Sequence, residues 1–234
     1  MSPRSSGGTP DPAGPQRTRL KRLRERGSHD RDTIDAILAE GLVCHVGIVV
    51  EGQPFVIPMG YAPWDDGLVL HGSVGSRLMR ALGSGTSACV TVTLVDGIVV
   101  ARSLFHSSMN YRSVIAFGTA RLIEEPAEKA RALEALGEHL IPGRTADARG
   151  ASDAESLATA VLHFSIEEAS AKVRSGPPID DEEDLELPIW AGVIPLAVTP
   201  GVPVPAPDLV EDIEPPEYVK RYRSRKERRE ARPG

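Results

Sequence analysis

"LVCHVGIVVEGQPFVIPMGYAPWDDGLVLHGS", Leu42 to Ser73, is the stretch that decides the fold. Its β-rich runs are broken by Glu51-Gly52 and by Asp65-Asp66-Gly67. Short turns between apolar runs join antiparallel neighbours, so the stretch predicts a meander of three strands. The same pattern continues downstream. "SACVTVTLVDGIVVARS" is expected to form a hairpin turning at Asp96-Gly97. "NYRSVIAFGTARLIEE" predicts a long strand, and "LATAVLHFSIEEASAKVR" another that bends near Glu167-Glu168. Helices fall between them. "SHDRDTIDAILAEG" offers Ser28 or Asp30 as a cap, Ile34, Ile37 and Leu38 at i, i+3, i+4, and Gly41 after the end. "SVGSRLMRALGSG" is a short helix closed by glycines, and a third helix starts near Pro126 and stops before Pro142-Gly143.

About six closely spaced antiparallel strands with inserted helices predict a mainly β fold, a small closed or split barrel with peripheral helices. A parallel nucleotide-binding sheet needs alternating strands and crossover helices. No G-x-G-x-x-G follows a first strand here.

With 234 residues the chain suits one domain with tails. The expected division is a disordered basic leader at 1–24, a folded barrel domain at 25–200, and a Pro-rich then basic tail at 201–234. A net charge of −6 argues against a general polyanion binder, so nucleic acid is not an expected partner. The 2 Cys form no paired framework, which fits a reducing, cytoplasmic setting. No apolar segment approaches the length of a membrane span, so no membrane association is expected. Charge is uneven: "RTRLKRLRERG" and "KRYRSRKERREARPG" are basic, while Pro177 to Glu217 contains no Lys or Arg. These are either solvated tails with an acidic surface loop, or tails that meet a charged partner.

Three segments have the residues for chemistry. In "LHGSVGSRLMRAL" a strand ends at His71, the small residues Gly72, Ser73, Gly75 and Ser76 follow, and a helix starts at Arg77. Small residues admit close approach of a ligand, free N–H groups at a helix start attract anions, and Arg grips phosphate in a bidentate way. Arg77 and Arg80 lie three apart on one helix face. The segment is a phosphate cradle, or an ordinary capped helix with two surface arginines. In "QPFVIPMGYAP", Phe55, Ile57 and Met59 share one strand face and Val56, Pro58 and Gly60 the other. Pro58 cannot donate to a ladder and belongs at an edge or bulge. A flat ring could lie against that open backbone, or the Pro only protects an edge. In "FHSSMNYRS", Phe105 to Ser113, apolar sequence flanks an unusual density of polar types. Arg112 there needs a carboxylate or a phosphate as partner.

Cys44 and His45 are adjacent on a strand, face opposite ways, and cannot easily share a metal. Cys44 and Cys89 sit in apolar β runs and are expected to be buried core thiols. His139 is placed on an exposed helix end and His163 in a structural role, while His71 and His106 stand at strand ends beside small polar residues. H-E-x-x-H, G-x-S-x-G and CxxC are absent, which leaves zinc peptidase, hydrolase and dithiol chemistry without local support.

Taken together, "CHVGIVVEGQPFVIPMGY", "LHGSVGSRLMR", "VDGIVVARSLFHSSMNYRSVIAFG", "EASAKVRSGPP" and "WAGVIPL" resemble the pyridoxamine 5'-phosphate oxidase-like superfamily, and within it the nitroimidazole-resistance-protein-like flavoprotein branch. The resemblance spans about residues 25 to 200. It implies a six-stranded antiparallel split β-barrel homodimer with FMN in two clefts at the subunit interface. Ile57, Pro58, Met59, Gly60 and Tyr61 would line the ring system. His71, Gly72, Ser73, Ser76 and Arg77 would hold the ribityl chain and phosphate, with Asn110 and Arg112 contributing from a second wall. Relatives of this barrel also bind haem or a deazaflavin, and FAD is a further alternative. The C-terminal Arg-x-His element of pyridoxamine phosphate oxidase proper is replaced here by "IWAGVIPL" and an acidic linker, which argues against pyridoxamine phosphate as substrate.

The leading expectation is an FMN-dependent oxidoreductase that passes electrons from NAD(P)H to a small nitro-aromatic or quinone-like acceptor, with His71 as the catalytic polar group. The alternatives are a non-catalytic flavin- or haem-binding protein, with His45, His71 or His106 as axial ligand, and an interaction protein that works through its basic tails.

Overall fold

A computed structural model describes residues 17–18, 26–210 and 213–222. The leader at 1–24 and the basic end therefore lie almost wholly outside the described residues. Eight strands form one antiparallel sheet: β1 (Gly27–Ser28), β2 (Val43–Val50), β3 (Gln53–Trp64), β4 (Gly67–Ser73), β5 (Ala88–Val100), β6 (Ser108–Leu122), β7 (Thr159–Arg174) and β8 (Gly192–Pro195). The six long strands β2 to β7 run in the order β7-β4-β3-β2-β5-β6, and β6 pairs again with β7. That last pairing closes a six-stranded barrel, with short β1 beside β7 and β8 beside β5.

The barrel is split because β3 changes neighbours along its length. Gln53 to Gly60 pairs only with β2, while Tyr61 to Trp64 pairs with β4. β2 joins β5 only over His45 to Gly47. The tip of the β2–β3 hairpin projects beyond the barrel and turns at Glu51 and Gly52, both with positive φ. Pro58 lies in the half of β3 with one strand neighbour, the edge position that a residue without an N–H requires.

Helices cap this frame. In α1 (Arg31–Glu40) the Asp30 carboxylate accepts from Thr33 N at 2.9 Å, and Ile34, Ile37 and Leu38 are buried. α2 is Arg77–Gly83. α3 (Pro126–Leu140) starts on Pro126 with Glu125 as its cap and buries Ala132, Leu136 and His139. α4 (Asp153–Ala158) carries a Ser152/Glu155 capping box, and α5 (Glu217–Lys220) lies near the end of the described chain. The main core fills the barrel with Val46, Tyr61, Leu70, Val92 and Phe164. A second cluster under α3 holds Ala62, Val69, Ile123 and Val161. Gly67-Leu68-Val69-Leu70 is buried throughout because α3 covers the outer side of β4 while the barrel fills the inner one.

Four expectations need correction. Asp96-Gly97 does not turn a hairpin. β5 runs straight through it with a bulge between Val95 and Gly97, and the second half is paired by β6 on one side and β8 on the other. A two-residue turn signal cannot fold back where distant strands already occupy both edges. His139 is not exposed: it is 7% exposed and its Nε2 lies 2.8 Å from the Gly41 carbonyl. Cys44 is buried as expected, but Cys89 is half-buried, because its register partners Gly47 and Phe117 place it on the outer side of the barrel. Tyr61 lies in the core rather than on the open half of β3. It is 0% exposed and its hydroxyl donates to the Leu38 carbonyl at 2.6 Å. The bend expected at Glu167-Glu168 is present as a register shift opposite Phe117 and Gly118.

Candidate cofactor site

The unpaired half of β3 is apolar and open. Phe55, Ile57 and Met59 are half-buried against the edge of the core, while Val56 and Pro58 are exposed. A Cβ built on Gly60 meets nothing within 4 Å, so a flat group can lie directly against this backbone.

The β4–α2 connection stands beside it. β4 ends at Ser73, whose carbonyl accepts from Ser76 N at 2.9 Å and whose Oγ accepts from Gly75 N at 3.2 Å. These bonds fold the loop tightly ahead of α2. Ser76 makes no side-chain cap. At Gly72 a Cβ would meet Met79 at 3.0 Å, so the close packing of this strand end on α2 favours glycine. His71 is exposed at the strand end, and desolvation by its surroundings lowers its pKa from the ordinary imidazole value. Arg77 then reaches back across the gap: its guanidinium sits over the Phe55 ring, 4.9 Å from the centroid. No carboxylate pairs with Arg77 among the described residues. This contact brings together two of the three predicted segments.

The third segment is placed differently. Arg112 donates to Glu40 at 2.6 and 2.7 Å and to Asp96 at 2.9 and 2.7 Å, so the carboxylate partner was the correct alternative. These two carboxylates raise its pKa further above the ordinary guanidinium value. Asn110 is 8% exposed. Its Nδ2 donates to the Gly176 carbonyl at 3.1 Å and its Oδ1 accepts from Arg174. His106 lies 3.1 Å from Asp181 and edge-on to Phe105. No hydrogen bond, ion pair or ring contact among the described residues joins this run to the 71–77 segment. It ties the start of β6 to the chain beyond β7. A cavity does lie near there, but Asp181, Glu182, Glu183 and Glu186 line it, a poor surface for an anionic cofactor.

Glu40 and Arg174, each central to this corner, carried no local sign in the sequence. Glu40 is the last residue of a helix, and Arg174 closes a strand.

The barrel closed by β6 and β7 and the open half of β3 define a split-barrel protein. The chain belongs to the pyridoxamine 5'-phosphate oxidase family, whose model matches residues 30–173. Among solved structures it is similar to the flavocytochrome Anf3 from Azotobacter vinelandii, with 42% identity, 88% of this chain and 95% of that chain covered, and a TM-score of 0.82. It is also similar to the FAD and haem binding protein from Mycobacterium smegmatis, at 39% identity, 85% and 98% coverage and a TM-score of 0.81. A putative 5-nitroimidazole antibiotic resistance protein from Bacteroides thetaiotaomicron shares 27% identity over 63% of this chain and 86% of that one, with a TM-score of 0.53. No curated protein matches the chain.

Proposed function

We infer that this chain is a flavin-binding redox protein of the flavocytochrome kind, with haem as a second cofactor and a homodimer as its working form. The observation that carries the flavin reading is the Arg77–Phe55 contact, a cation without a carboxylate partner held at the open half of β3. An apolar strand edge with an open Gly60 fits a flat ring, and an uncompensated guanidinium fits a phosphate. The haem reading draws on the two relatives at 42% and 39% identity, one a flavocytochrome and one a FAD and haem binding protein. The second of these favours FAD, and FMN stands as the smaller alternative.

In this reading the flavin supplies electron transfer between NAD(P)H and a small acceptor of nitro-aromatic or quinone type. The chain's own residues bind and orient. Arg77 neutralises phosphate, the Ser73 and Ser76 hydroxyls fix its oxygens, and Ile57 to Gly60 exclude water from one face of the ring. A lowered pKa keeps His71 neutral near pH 7, the form that can ligate haem iron or present a hydrogen bond to a substrate. His45 is the other exposed candidate for haem, since it projects from β2 opposite Pro58 and Thr91. His106 is already engaged by Asp181. No helix among the described residues is long and apolar enough to cross a membrane.

The test is the absorption spectrum of the freshly purified full chain, followed by mass identification of whatever is released. Flavin bands with a Soret band are expected. A colourless protein that refuses added FMN, FAD and haem would sink the reading.

A further inference from the structure

Three arginines with little exposure lie along the β6–β7 side of the barrel, and only two are neutralised. Arg112 holds Glu40 and Asp96. Arg102 holds Asp180, whose side chain is 1% exposed, through its backbone N and its guanidinium, both at 2.8 Å. Arg174 is the most deeply buried, at 7% exposure, and meets no carboxylate among the described residues. Its donors go to the neutral Asn110 Oδ1 and, at 3.5 Å, to the Pro177 carbonyl.

The neighbours of Arg174 increase the imbalance. β7 pairs Lys172 with Ser113 and Arg174 with Tyr111, and two-residue spacing puts Lys172 and Arg174 on one strand face. β1 pairs Gly27 with Lys172, so Arg26, one residue upstream, comes alongside the end of β7. Arg26, Tyr111 and Lys172 are all half-buried, and no ion pair joins either Arg26 or Lys172 to a carboxylate among the described residues. Burial, and then the Arg26 charge, hold the Arg174 guanidinium below its ordinary pKa. A buried cation without a counter-charge is costly, and a planar guanidinium backed by a second cation matches an oxyanion's geometry.

We propose that Arg174, Lys172 and Arg26 form a subsite for an oxyanion, the phosphate or carboxylate end of a bound ligand. The subsite follows from the charge imbalance; only the source of its oxyanion, a flavin phosphate or a haem propionate, rests on the cofactor reading above.

The experiment uses the full-length protein, Arg26→Gln at the half-buried rim, and Arg174→Met at the buried position. Thermal midpoints are measured with and without inorganic phosphate, and affinities for riboflavin, FMN, FAD, haem and haem dimethyl ester. Phosphate should raise the midpoint of the wild type and not of Arg26→Gln. If the oxyanion is a flavin phosphate, it is the second phosphate of FAD, the first being held at Arg77; Arg26→Gln then binds FAD roughly tenfold more weakly with FMN and riboflavin unchanged, the loss of one charge-assisted contact. If it is a propionate, haem weakens by the same factor and its dimethyl ester does not. Arg174→Met should repeat the pattern; should it fail to fold, Arg26→Gln decides alone. Variants that bind every ligand as the wild type does, with an equal response to phosphate, overturn the proposal. Should the wild type take up neither flavin nor haem, the cofactor reading fails. The phosphate-dependent midpoint then decides: its loss in Arg26→Gln sustains the subsite, and an unchanged response removes it.

Discussion

Arg112, half-buried, and Arg77, exposed, both lie in segments that the sequence marks for chemistry, yet they sit in opposite surroundings. Arg112 is gripped by two carboxylates, Glu40 from the end of α1 and Asp96 from the bulge in β5. Arg77 rests on one aromatic ring at an unpaired strand edge. The first corner is electrically complete within the chain, so its cation holds the fold. The second is incomplete, so its cation is available to a ligand. A residue type does not reveal which role it has; the nearest carboxylates do.

The largest effect expected from this contrast is at Arg112. Arg112→Leu leaves Glu40 and Asp96 facing each other with little solvent and should cost about 3 kcal/mol, the scale for breaking a largely buried ion pair from one side. Chemical denaturation measures it, and the flavin content of the folded fraction should stay at the wild-type value. A stable Arg112→Leu protein that has lost its flavin would reverse the roles assigned to the two corners.

Next comes Arg77→Ala. Removing a charge-assisted phosphate contact should weaken flavin binding by about 10- to 100-fold, while the thermal midpoint of the cofactor-free protein moves little. Fluorescence titration with FMN and FAD reads it. Wild-type affinity in this variant would take Arg77 out of the site.

The smallest effect is at His71. Its folded pKa is lowered by desolvation, so the folded state favours the neutral ring. The sign follows: the contribution to stability is present above the unfolded imidazole value of about 6.5 and is lost as pH falls through the lower folded value. An NMR titration of the histidine ring protons should show His71 protonating below that reference. His71→Asn should flatten the corresponding part of the stability profile. A His71 that titrates at or above the reference would remove the argument that it is neutral at pH 7.

Much of the fold was legible in the sequence. The meander from Leu42 to Ser73, the cap at Asp30, the helix start at Pro126 and the bend at Glu167 are local events. Turn chemistry, capping and β-alternation act over a few residues, so they are visible in a few residues. Asp96-Gly97 misled because its turn signal is local while the strands that hold it straight, β6 and β8, come from far along the chain. His139 misled for the same reason: the Gly41 carbonyl that receives its ring comes from the end of α1. In the candidate site, Ile57 to Gly60 and His71 to Arg77 could be picked out by their small residues and by Pro58. Tyr61 could not be separated from them, because it follows directly in the same strand. The change from open edge to paired interior falls between Gly60 and Tyr61, where β4 begins to pair with β3.

By itself the sequence determined the class of fold, the closely spaced antiparallel strands and the Gly/Ser-rich loop that leads into Arg77. Each of these is set by backbone conformation and side-chain alternation within a short window. Only the tertiary structure decided which arginines are neutralised. Glu40 and Asp96 reach Arg112, and Asp180 reaches Arg102, across 72, 16 and 78 residues, while nothing acidic among the described residues reaches Arg174 or Arg77. Charge compensation depends on distance in space and on exclusion of water, and neither is encoded in any single segment of chain.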